Sequence, residues 1–430
     1  MTAPEEIHVP VDPESQRRLH QSGLEYRIAD MTVDADAEGF LRADARGFLD
    51  EDPTDAVVAQ MRETMRDRRN IGVYDEFAGS WPVATVNSWV TPLTVPGGEI
   101  PMWAISSVTV SGTHRRRGIA RTLLEGELRA AASAGVAVAG LTVSEATIYG
   151  RYGFGSAVPV ARLTIDNRRA GWMVEPTPGR VVYSDKQTLA DDLEVLHERS
   201  RASRAGQVAG WRGRWQRMAG LAEGDKEAAE IRGIRYLDAD GVVQGAMAYR
   251  LADIPGAFRS ELRIRTMQAA TDEALRALWQ FTVQHDLVDR AVVDLRPVDD
   301  PLPWLVADQR AVTTEVHDHG WLRVLDVPAA LQARTFRTSV DAVLRVEDGL
   351  GFADGVWRIV IDAEGRATVT ATDAAPQVTL SVVELSAVYA GGEPLSRLAA
   401  AGRVRGEEAT IAALSHAFST DPAPTLGIWY

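Results

Sequence analysis

The order of apolar and polar positions between residues 54 and 143 predicts a helix, three strands, a second helix and a fourth strand. The three strands alternate or are rich in β-branched residues, and they lie at residues 70–77, 83–90 and 102–110. Residues 119–128 place apolar side chains at three-to-five spacing and therefore predict an amphipathic helix. The wholly apolar run at 136–143 is typical of a strand covered on both faces. The first helix of this order is predicted to begin with a cap near Thr54.

A similar order of patterns recurs in the middle of the chain. Three further strands are predicted in the segments IRGIRYLD, VVQGAMAYR and ELRIRTMQA. A helix over residues 271–285, with Thr271 as its cap, and a strand over residues 290–297 follow them. The chain therefore contains a second copy of one supersecondary plan. Its strand–helix junction, QAATDEA, has neither arginine nor glycine and carries carboxylates, which would repel an anion.

A third region begins at about Trp321, after the two prolines at residues 299–310 break the pattern. The segments GVWRIVID and RATVTATD, joined by AEG, predict a hairpin. The segments VTLSVVELSAVYAGG, PLSRLAAAGRVRG and EEATIAALSHAFS predict mainly helices. We expect an α+β unit here, and the sequence ends in the apolar, aromatic segment TLGIWY.

Length and composition indicate a folded chain of about three domains. The chain has 430 residues, 45% of them apolar and 25% charged, and it has no cysteine, which excludes disulfides and thiolate chemistry. The first residues lack the features of a signal peptide, and no run reaches the ~18 apolar residues of a membrane span. We therefore expect a cytoplasmic protein that does not associate with a membrane. The net charge of −14 disfavours nucleic acid and favours cationic partners, although solubility alone explains it equally well.

Three consecutive arginines, Arg115 to Arg117, precede Gly118 where the third strand meets the second helix. A helix N-terminus carries unpaired N–H groups and about half a positive charge, so this junction is a candidate anion site. The sequence contains neither a GxxxxGKS/T motif nor a GxGxxG motif opening a strand–helix unit, which argues against nucleotide P-loops and dinucleotide folds. By itself, the arginine run is equally consistent with a solvated loop. The histidines of HDH at 317–319 have no third ligand at a suitable spacing, so no metal site is predicted.

The joint pattern is more specific than the arginines alone. A strand ending in SSVTV, then Arg115-x-x-Gly118-x-Ala120, an amphipathic helix and a strand resemble the acetyl-CoA-binding motif of the GNAT acyltransferase superfamily. The segments VTVSGTHRRRG, SEATIYGRYGFG and DDPLPWLVADQR, with the aromatic end, resemble the Eis family (enhanced intracellular survival proteins) over the whole length. The resemblance implies a mixed α/β (α+β) fold with two tandem GNAT-like domains, the second without a cofactor motif, and a C-terminal sterol-carrier-protein-like α+β domain. We expect these domains at residues 1–165, 166–310 and 311–430.

The resemblance also implies an activity and roles for individual residues. The chain would be an acetyl-CoA-dependent N-acetyltransferase of aminoglycosides and other amines, with Tyr149 as general acid and the Tyr430 carboxylate as base. The cofactor-binding residues implied in this way are Val108, Val110, Arg115, Arg116, Gly118, Ile119 and Ser144. The two valines would offer backbone groups to the pantetheine arm and the thioester carbonyl, while the loop residues would surround the pyrophosphate.

Three further residues are assigned to the acceptor. Asp50, or the neighbouring Glu51, falls near the acidic pocket residue of the family, and Trp429 stands where some members carry an acidic residue. The expected acceptor is a small polycationic amine, and the family implies a homo-oligomer, typically a hexamer. Two alternatives stay open, namely a non-catalytic protein that binds acyl-CoA or lipid and a protein-lysine acetyltransferase. Without the resemblance, Tyr149 and the GIWY segment would be interpreted as packing residues.

Overall fold

The computed structural model describes residues 9–143, 145–256 and 258–430. Contacts within the chain divide it into two compact units. The first unit contains residues 1–157, 320–420 and Tyr430, and the second contains residues 158–319 and 421–429. The first unit is therefore assembled from two long stretches of sequence, with most of the second unit inserted between them.

The N-terminal part of the first unit is a mixed sheet flanked by helices. Its strands are β1 (Glu25–Ile28), β2 (Arg69–Tyr74), β3 (Ala84–Val95), β4 (Gly98–Val110) and β5 (Val138–Thr142). Its helices are α1 (Pro13–Gln21), α2 (Asp34–Gly47), α3 (Asp55–Met65), α4 (Ile119–Ser133) and α5 (Ala146–Tyr149). Neighbouring strands follow the order β1–β2–β3–β4–β5, antiparallel up to β4 and parallel between β4 and β5. The predicted order of elements from α3 to β5 is confirmed.

Local capping explains where these helices begin. Thr54 caps α3 as predicted, because its hydroxyl accepts a hydrogen bond from the Val57 N–H at 3.4 Å. Helix α1 starts in the same manner, with the Asp12 carboxylate accepting from the Ser15 N–H at 2.7 Å and a proline in the first turn. Strand β1 and helices α1 and α2 are additions to the predicted order. None of the helices in the described part of the chain is long and apolar enough to cross a membrane.

A buried polar network fixes the centre of this sheet against α4. The Arg69 guanidinium and the Glu127 carboxylate are both fully buried and lie 3.1 Å apart, and Ser88 and the Trp103 indole N–H also donate to that carboxylate. Arg69 further donates to main-chain oxygens of the segment that precedes α1, including that of Pro10 at 3.1 Å. The ion pair is therefore saturated with hydrogen bonds, which is the condition under which buried charges are tolerated.

The second unit repeats the plan of the first sheet. Its strands are β6 (Gly155–Asp166, from Val158 onwards), β7 (Arg180–Ser184), β8 (Arg232–Leu237), β9 (Val243–Asp253), β10 (Ser260–Ala269), β11 (Val288–Arg296) and the first part of β12 (Val312–Val324). Its helices are α6 (Asn167–Ala170), α7 (Lys186–Arg201), α8 (Arg212–Met218), α9 (Asp272–Val283) and α10 (Leu302–Leu305). Within the unit the strand order is β6–β11–β10–β9–β8–β7, and β10 and β11 are parallel. Thr271 caps α9 as predicted, so the second copy of the supersecondary plan is confirmed.

The C-terminal region of the first unit is an α+β layer, as expected. Its strands are β13 (Val340–Glu347), β14 (Gly355–Ile361), β15 (Ala367–Ala371), β16 (Val378–Ser381) and β17 (Arg405–Gly406), in the order β15–β14–β13–β16–β17. Its helices are α11 (Val327–Gln332), α12 (Val382–Val388), α13 (Leu395–Ala400) and α14 (Glu408–Phe418). The predicted hairpin is confirmed as β14–β15. The predominantly helical reading of VTLSVVELSAVYAGG was wrong at its start, because VTLS alternates in burial and pairs as β16 with β13 before Ser381 caps α12.

Within the first unit, Arg323 forms contacts both with this region and with the turn that follows the N-terminal sheet. Its guanidinium is fully buried, donates to the Tyr152 carbonyl at 2.7 Å and pairs with the Asp348 carboxylate at 2.7 Å. Asp348 in turn accepts hydrogen bonds from the Leu350 and Ala353 amides. The sequence had given no reason to connect residue 323 with the turn at 150–153.

Candidate active site

The parallel strands β4 and β5 part from each other part-way along their length. Their pairing covers residues 102–104 opposite residues 138–140. Beyond these pairs, β4 continues to Val110 and β5 to Thr142 without pairing to each other among the described residues. The facing edges of the two strands therefore keep backbone donors and acceptors for another molecule. Val108 and Val110, both half-buried, lie on this free stretch of β4.

A bulge in β4 accompanies the parting. The register between β3 and β4 shifts between Thr85 and Asn87, and Ser107 adopts a φ of 52°. The Thr85 hydroxyl lies 2.8 Å from the Ser107 carbonyl oxygen, to which it donates, and 2.6 Å from the Thr109 hydroxyl. The bulge therefore has its own buried hydrogen bonds, and the free edge of β4 is held in a defined shape.

The loop between β4 and α4 carries the residues that were predicted to bind an anion. Helix α4 begins at Ile119, its N-cap Gly118 has a φ of 79°, and no side chain caps it, so the first amides of the helix have no acceptor within it. A Cβ added to Gly118 would meet nothing within 4 Å, which leaves open space above these amides. The positive φ favours glycine at this position.

Positive charge surrounds that helix start. Arg115, Arg116 and Arg117 are exposed, and Arg117 approaches the Asp75 carboxylate at 4.0 Å. The loop is braced by His114, which is buried and lies 3.0 Å from the same carboxylate. Interaction with His114 lowers the pKa of Asp75 from its usual value, so Asp75 stays charged beside the arginines. The remaining arginines face solvent, where they can contact a diffusing anion.

Tyr149 ends α5 in the glycine-flanked turn that follows β5. Its side chain is buried, and its ring meets the Phe154 ring edge-on with centroids 6.2 Å apart. Gly153 closes the turn with a φ of 87°, and a Cβ there would lie 2.5 Å from the Arg323 Nε atom. The turn is therefore fixed by close packing as well as by its hydrogen bonds. Ser144, the other predicted residue of this segment, lies outside the described residues.

Tyr430 lies on the parted strands of the first unit. A main-chain oxygen of Tyr430 accepts a hydrogen bond from the Thr142 hydroxyl at 2.6 Å, at the last residue of β5. The Tyr430 ring meets the Trp89 ring of β3 edge-on at 5.7 Å, and burial raises the pKa of its phenol above the usual range. The two residues that hold Tyr430 thus belong to the sheet that carries Val108 and Val110.

The residues before Tyr430 are held within the second unit. The His319 Nε2 atom lies 2.8 Å from the Ile428 carbonyl oxygen. Whether this nitrogen carries the proton depends on the tautomer of the ring. Burial lowers the pKa of His319 to about 4, so the ring is neutral and Nε2 donates to that carbonyl. Trp429 stacks edge-on against the same ring at 4.4 Å. His319 of the HDH segment therefore contacts both the Ile428 backbone and the Trp429 ring. Among the described residues no cluster of three or more metal-binding side chains occurs.

The predicted acidic residues lie beyond the C-terminal turn of α2. Asp50 and Glu51 are exposed, whereas Asp44, which sequence reasoning missed, is buried in that helix. The Asp44 carboxyl interacts with the Ser107 and Thr85 side chains at the bulge, and one of its oxygens has no hydrogen-bond partner among the described residues. Burial, with a smaller contribution from Asp50, raises the pKa of Asp44 to about 7. A charged residue on the apolar face of ADAEGFLRADA was the available signal.

Comparison with known proteins agrees with this geometry. Residues 27–157 and 206–324 each match an acetyltransferase (GNAT) domain family, and residues 327–427 match the sterol carrier protein domain. An uncharacterized N-acetyltransferase of Streptomyces avermitilis is 34% identical over 396 residues, which cover 90% of this chain and 94% of the relative. N-acetyltransferase Eis of Mycobacterium tuberculosis is 34% identical over 346 residues, or 76% of this chain and 81% of the relative. The crystal structure of Eis1 from Mycobacterium abscessus superposes with a TM-score of 0.79 at 30% identity and covers 94% of this chain and 100% of that one.

Two GNAT domains, with a parted parallel strand pair and an uncapped helix start in the first, define an N-acetyltransferase of the GNAT class. Enzymes of this class use acetyl-CoA as co-substrate and transfer its acetyl group to an amine. A purely binding protein, the non-catalytic alternative, is therefore set aside. Within the class, the chain belongs to the Eis family.

Proposed function

We propose that the enzyme acetylates primary amines of small polycationic acceptors, of which aminoglycosides are the model, by direct attack of the amine on acetyl-CoA. The observation that carries the proposal is the bond between Thr142 and the Tyr430 main chain, beyond the point where β4 and β5 part. This position supports a part for Tyr430 in the chemistry, since the free strand edges beside it suit an extended, amide-bearing chain such as the pantetheine arm.

Acetyl-CoA would lie along β4 with its pyrophosphate at the start of α4. The exposed Arg115 and Arg116 and the uncapped amides at Gly118 and Ile119 supply donors and positive charge for that group. Backbone groups of β4 at Val108 and Val110 would face the arm and the thioester carbonyl. One well-placed backbone N–H at the developing oxyanion stabilises the transition state by about 3 kcal/mol. Ser144 stays a predicted cofactor contact.

The proposed reaction is one addition and one elimination. The neutral amine attacks the thioester carbonyl carbon, a C–N bond forms, the C–S bond breaks, and the thiolate of CoA takes a proton from the Tyr149 hydroxyl. Moving a proton from a phenol to a thiolate costs about 2 kcal/mol at their reference pKa values, so the transfer is expected to accompany C–S cleavage. The proton lost by the amine goes to the Tyr430 carboxylate, directly or through a water. These steps need no metal ion.

The preference for polycations would come from carboxylates near the β4 bulge. Asp50 and Glu51 are exposed beyond α2, whose buried Asp44 lies against the β4 bulge, and the chain as a whole carries a net charge of −14. Such a distribution raises the local concentration of cationic acceptors. Trp429, half-exposed and aromatic, is proposed as a further acceptor contact. By family resemblance, we also propose a homo-oligomer, a hexamer, acting in the cytoplasm.

The test is a thiol-release assay with acetyl-CoA against aminoglycosides, polyamines, arylalkylamines and peptides. We expect the highest kcat/KM with aminoglycosides. Preference for lysine peptides would instead support the protein-lysine acetyltransferase, and no release with any of the four classes would refute the proposed activity.

Two variants test the assigned roles. Tyr149→Phe, and two alanines added after Tyr430, should each lower kcat by at least 100-fold while acetyl-CoA still binds. The matched control for the first is Tyr152→Phe, a buried tyrosine of the same turn, and for the second it is the same two alanines added before Met1. Full activity of the extended chain would show that the Tyr430 carboxylate is not the base.

A further inference from the structure

The second unit contains its own parted pair of parallel strands. Strands β10 and β11 pair from Ser260 opposite Val288 to Ile264 opposite Val293. Beyond these pairs β10 continues to Ala269 and β11 to Arg296, as β4 and β5 do in the first unit. A cavity of about 280 Å³ lies at the parting, and residues 266–272 and 293–297 line most of it.

Most of the positive charge around this cavity is already neutralised. The Thr271 hydroxyl accepts from the Ala274 N–H at 3.1 Å and so caps α9, and two carboxylates stand in the first turn of that helix. Three arginines at the cavity are held by carboxylates, namely Arg265 with Asp225 at 2.7 Å, Arg296 with Asp300 at 2.6 Å and Arg204 with Asp299 at 2.6 Å. A fourth, Arg199, donates instead to the Val243 carbonyl at 3.1 Å and to the Gln244 side-chain oxygen at 2.8 Å. A phosphate would therefore find no open amides at the start of α9, and three of the four guanidinium groups are already paired with carboxylates.

Uncharged hydrogen-bonding groups, in contrast, are available. Thr425 lines the cavity, is 2% exposed, and its hydroxyl has no hydrogen-bond partner among the described residues. Gln268, also buried, makes a long contact of 3.4 Å to the Thr266 hydroxyl. Leaving a buried polar group without a partner is unfavourable, so these groups favour a ligand that brings donors and acceptors of its own.

We propose that this cavity is a second ligand site, for a small uncharged molecule with an extended, amide-bearing chain of the pantetheine type. The edges of β10 and β11 that do not pair with each other would bond its amides as strand edges bond an added strand, replacing the long contact of 3.4 Å between Arg296 and the Met267 carbonyl. Thr425 would meet one of the polar groups of the ligand. The volume, just below the ~300 Å³ at the small end of ligand pockets, limits the ligand to a few bonded amide units. The capped helix and the three paired arginines disfavour its phosphorylated relatives, including CoA.

The experiment is a calorimetric titration of the full chain with CoA and with pantetheine. CoA should bind once per chain, and in the presence of saturating CoA pantetheine should still bind once. Failure of the first unit to bind CoA would refute the cofactor site of the proposed function and leave the second site to be judged by pantetheine alone. No pantetheine binding beside saturating CoA would overturn the second site.

Variants of the second unit locate the ligand. Thr425→Val removes the hydroxyl and keeps the shape, and should weaken pantetheine binding about tenfold, the loss of one hydrogen bond. Thr314→Val, the same change at an exposed position of β12, should have no effect. If Thr425→Val prevents folding, Ala270→Leu fills the cavity instead and should abolish binding. Unchanged pantetheine affinity in whichever of these two variants folds would show that pantetheine does not bind in this cavity.

Discussion

Replacing Asp44 by asparagine tests the buried carboxyl beside the β4 bulge. The substitution keeps the shape and hydrogen-bonding capacity of the side chain and removes its charge. Asp44 is buried, and its pKa is raised to about 7, first by burial and then by the nearby Asp50. Between pH 4 and pH 7 the folded protein therefore keeps a proton that the unfolded chain has lost. The contribution of Asp44 to the free energy of unfolding must therefore fall as pH rises through this window, and it is lost completely above the folded pKa.

The size of the effect follows from the two pKa values. A rise from 3.8 to about 7 corresponds to about 4 kcal/mol at alkaline pH, of which about 2.5 kcal/mol develops between pH 5 and pH 8. Because asparagine does not ionise, Asp44→Asn should gain about 2.5 kcal/mol relative to the natural protein between these two pH values.

Urea unfolding at pH 5 and pH 8 measures this difference. Because the chain divides into two compact units, the transition is best followed by hydrogen exchange in peptides from β4, which belongs to the first unit. Asp67→Asn, at an exposed turn after α3, is the matched control and should show no such pH dependence. An equal stability difference for Asp44→Asn at both pH values would refute the reasoning, since it would mean that Asp44 is ionised alike in the folded and unfolded states.

Three further substitutions give separate readouts. Gly118→Ala forces a Cβ onto a φ of 79° in open space, so it should cost about 1 kcal/mol in thermal unfolding and weaken acetyl-CoA binding in calorimetry. Asp348→Asn leaves a buried guanidinium without its counter-charge and should cost about 3–5 kcal/mol in urea, whereas Asp341→Asn, from an exposed pair, should cost under about 1 kcal/mol. Gly155→Ala would place a Cβ 2.1 Å from a backbone oxygen of α12 and should prevent soluble expression, while Gly150→Ala, with nothing within 4 Å, should express normally. Equal behaviour within either matched pair would contradict the packing described.

Sequence reasoning succeeded where the decisive interaction is local. The caps at Thr54 and Thr271 and the period of α4 and α9 depend on residues within one helical turn, and all were predicted. It failed at β16, whose four residues become a strand through pairing with β13, more than 30 residues earlier in the chain.

The candidate site shows the same division. The arginines, the glycine and the strand before them are contiguous, so their place at a strand–helix junction could be predicted from one segment. The Thr142–Tyr430 bond joins positions 288 residues apart, and only the family resemblance suggested it. Asp44 was missed because a single carboxyl on a helix reads as exposed until the bulge that covers it is known.

The discontinuous first unit separates two meanings of the word domain. Residues 27–157 are a unit of descent, since they match one family. They are not a unit of folding, because Trp321 and Leu325 belong to the same hydrophobic core and Leu350 and Phe352 pack against it. A fragment ending near residue 157 would retain the proposed cofactor loop and Tyr149 with an incomplete core around them. Moving this GNAT domain into another protein would therefore require moving residues 320–420 with it.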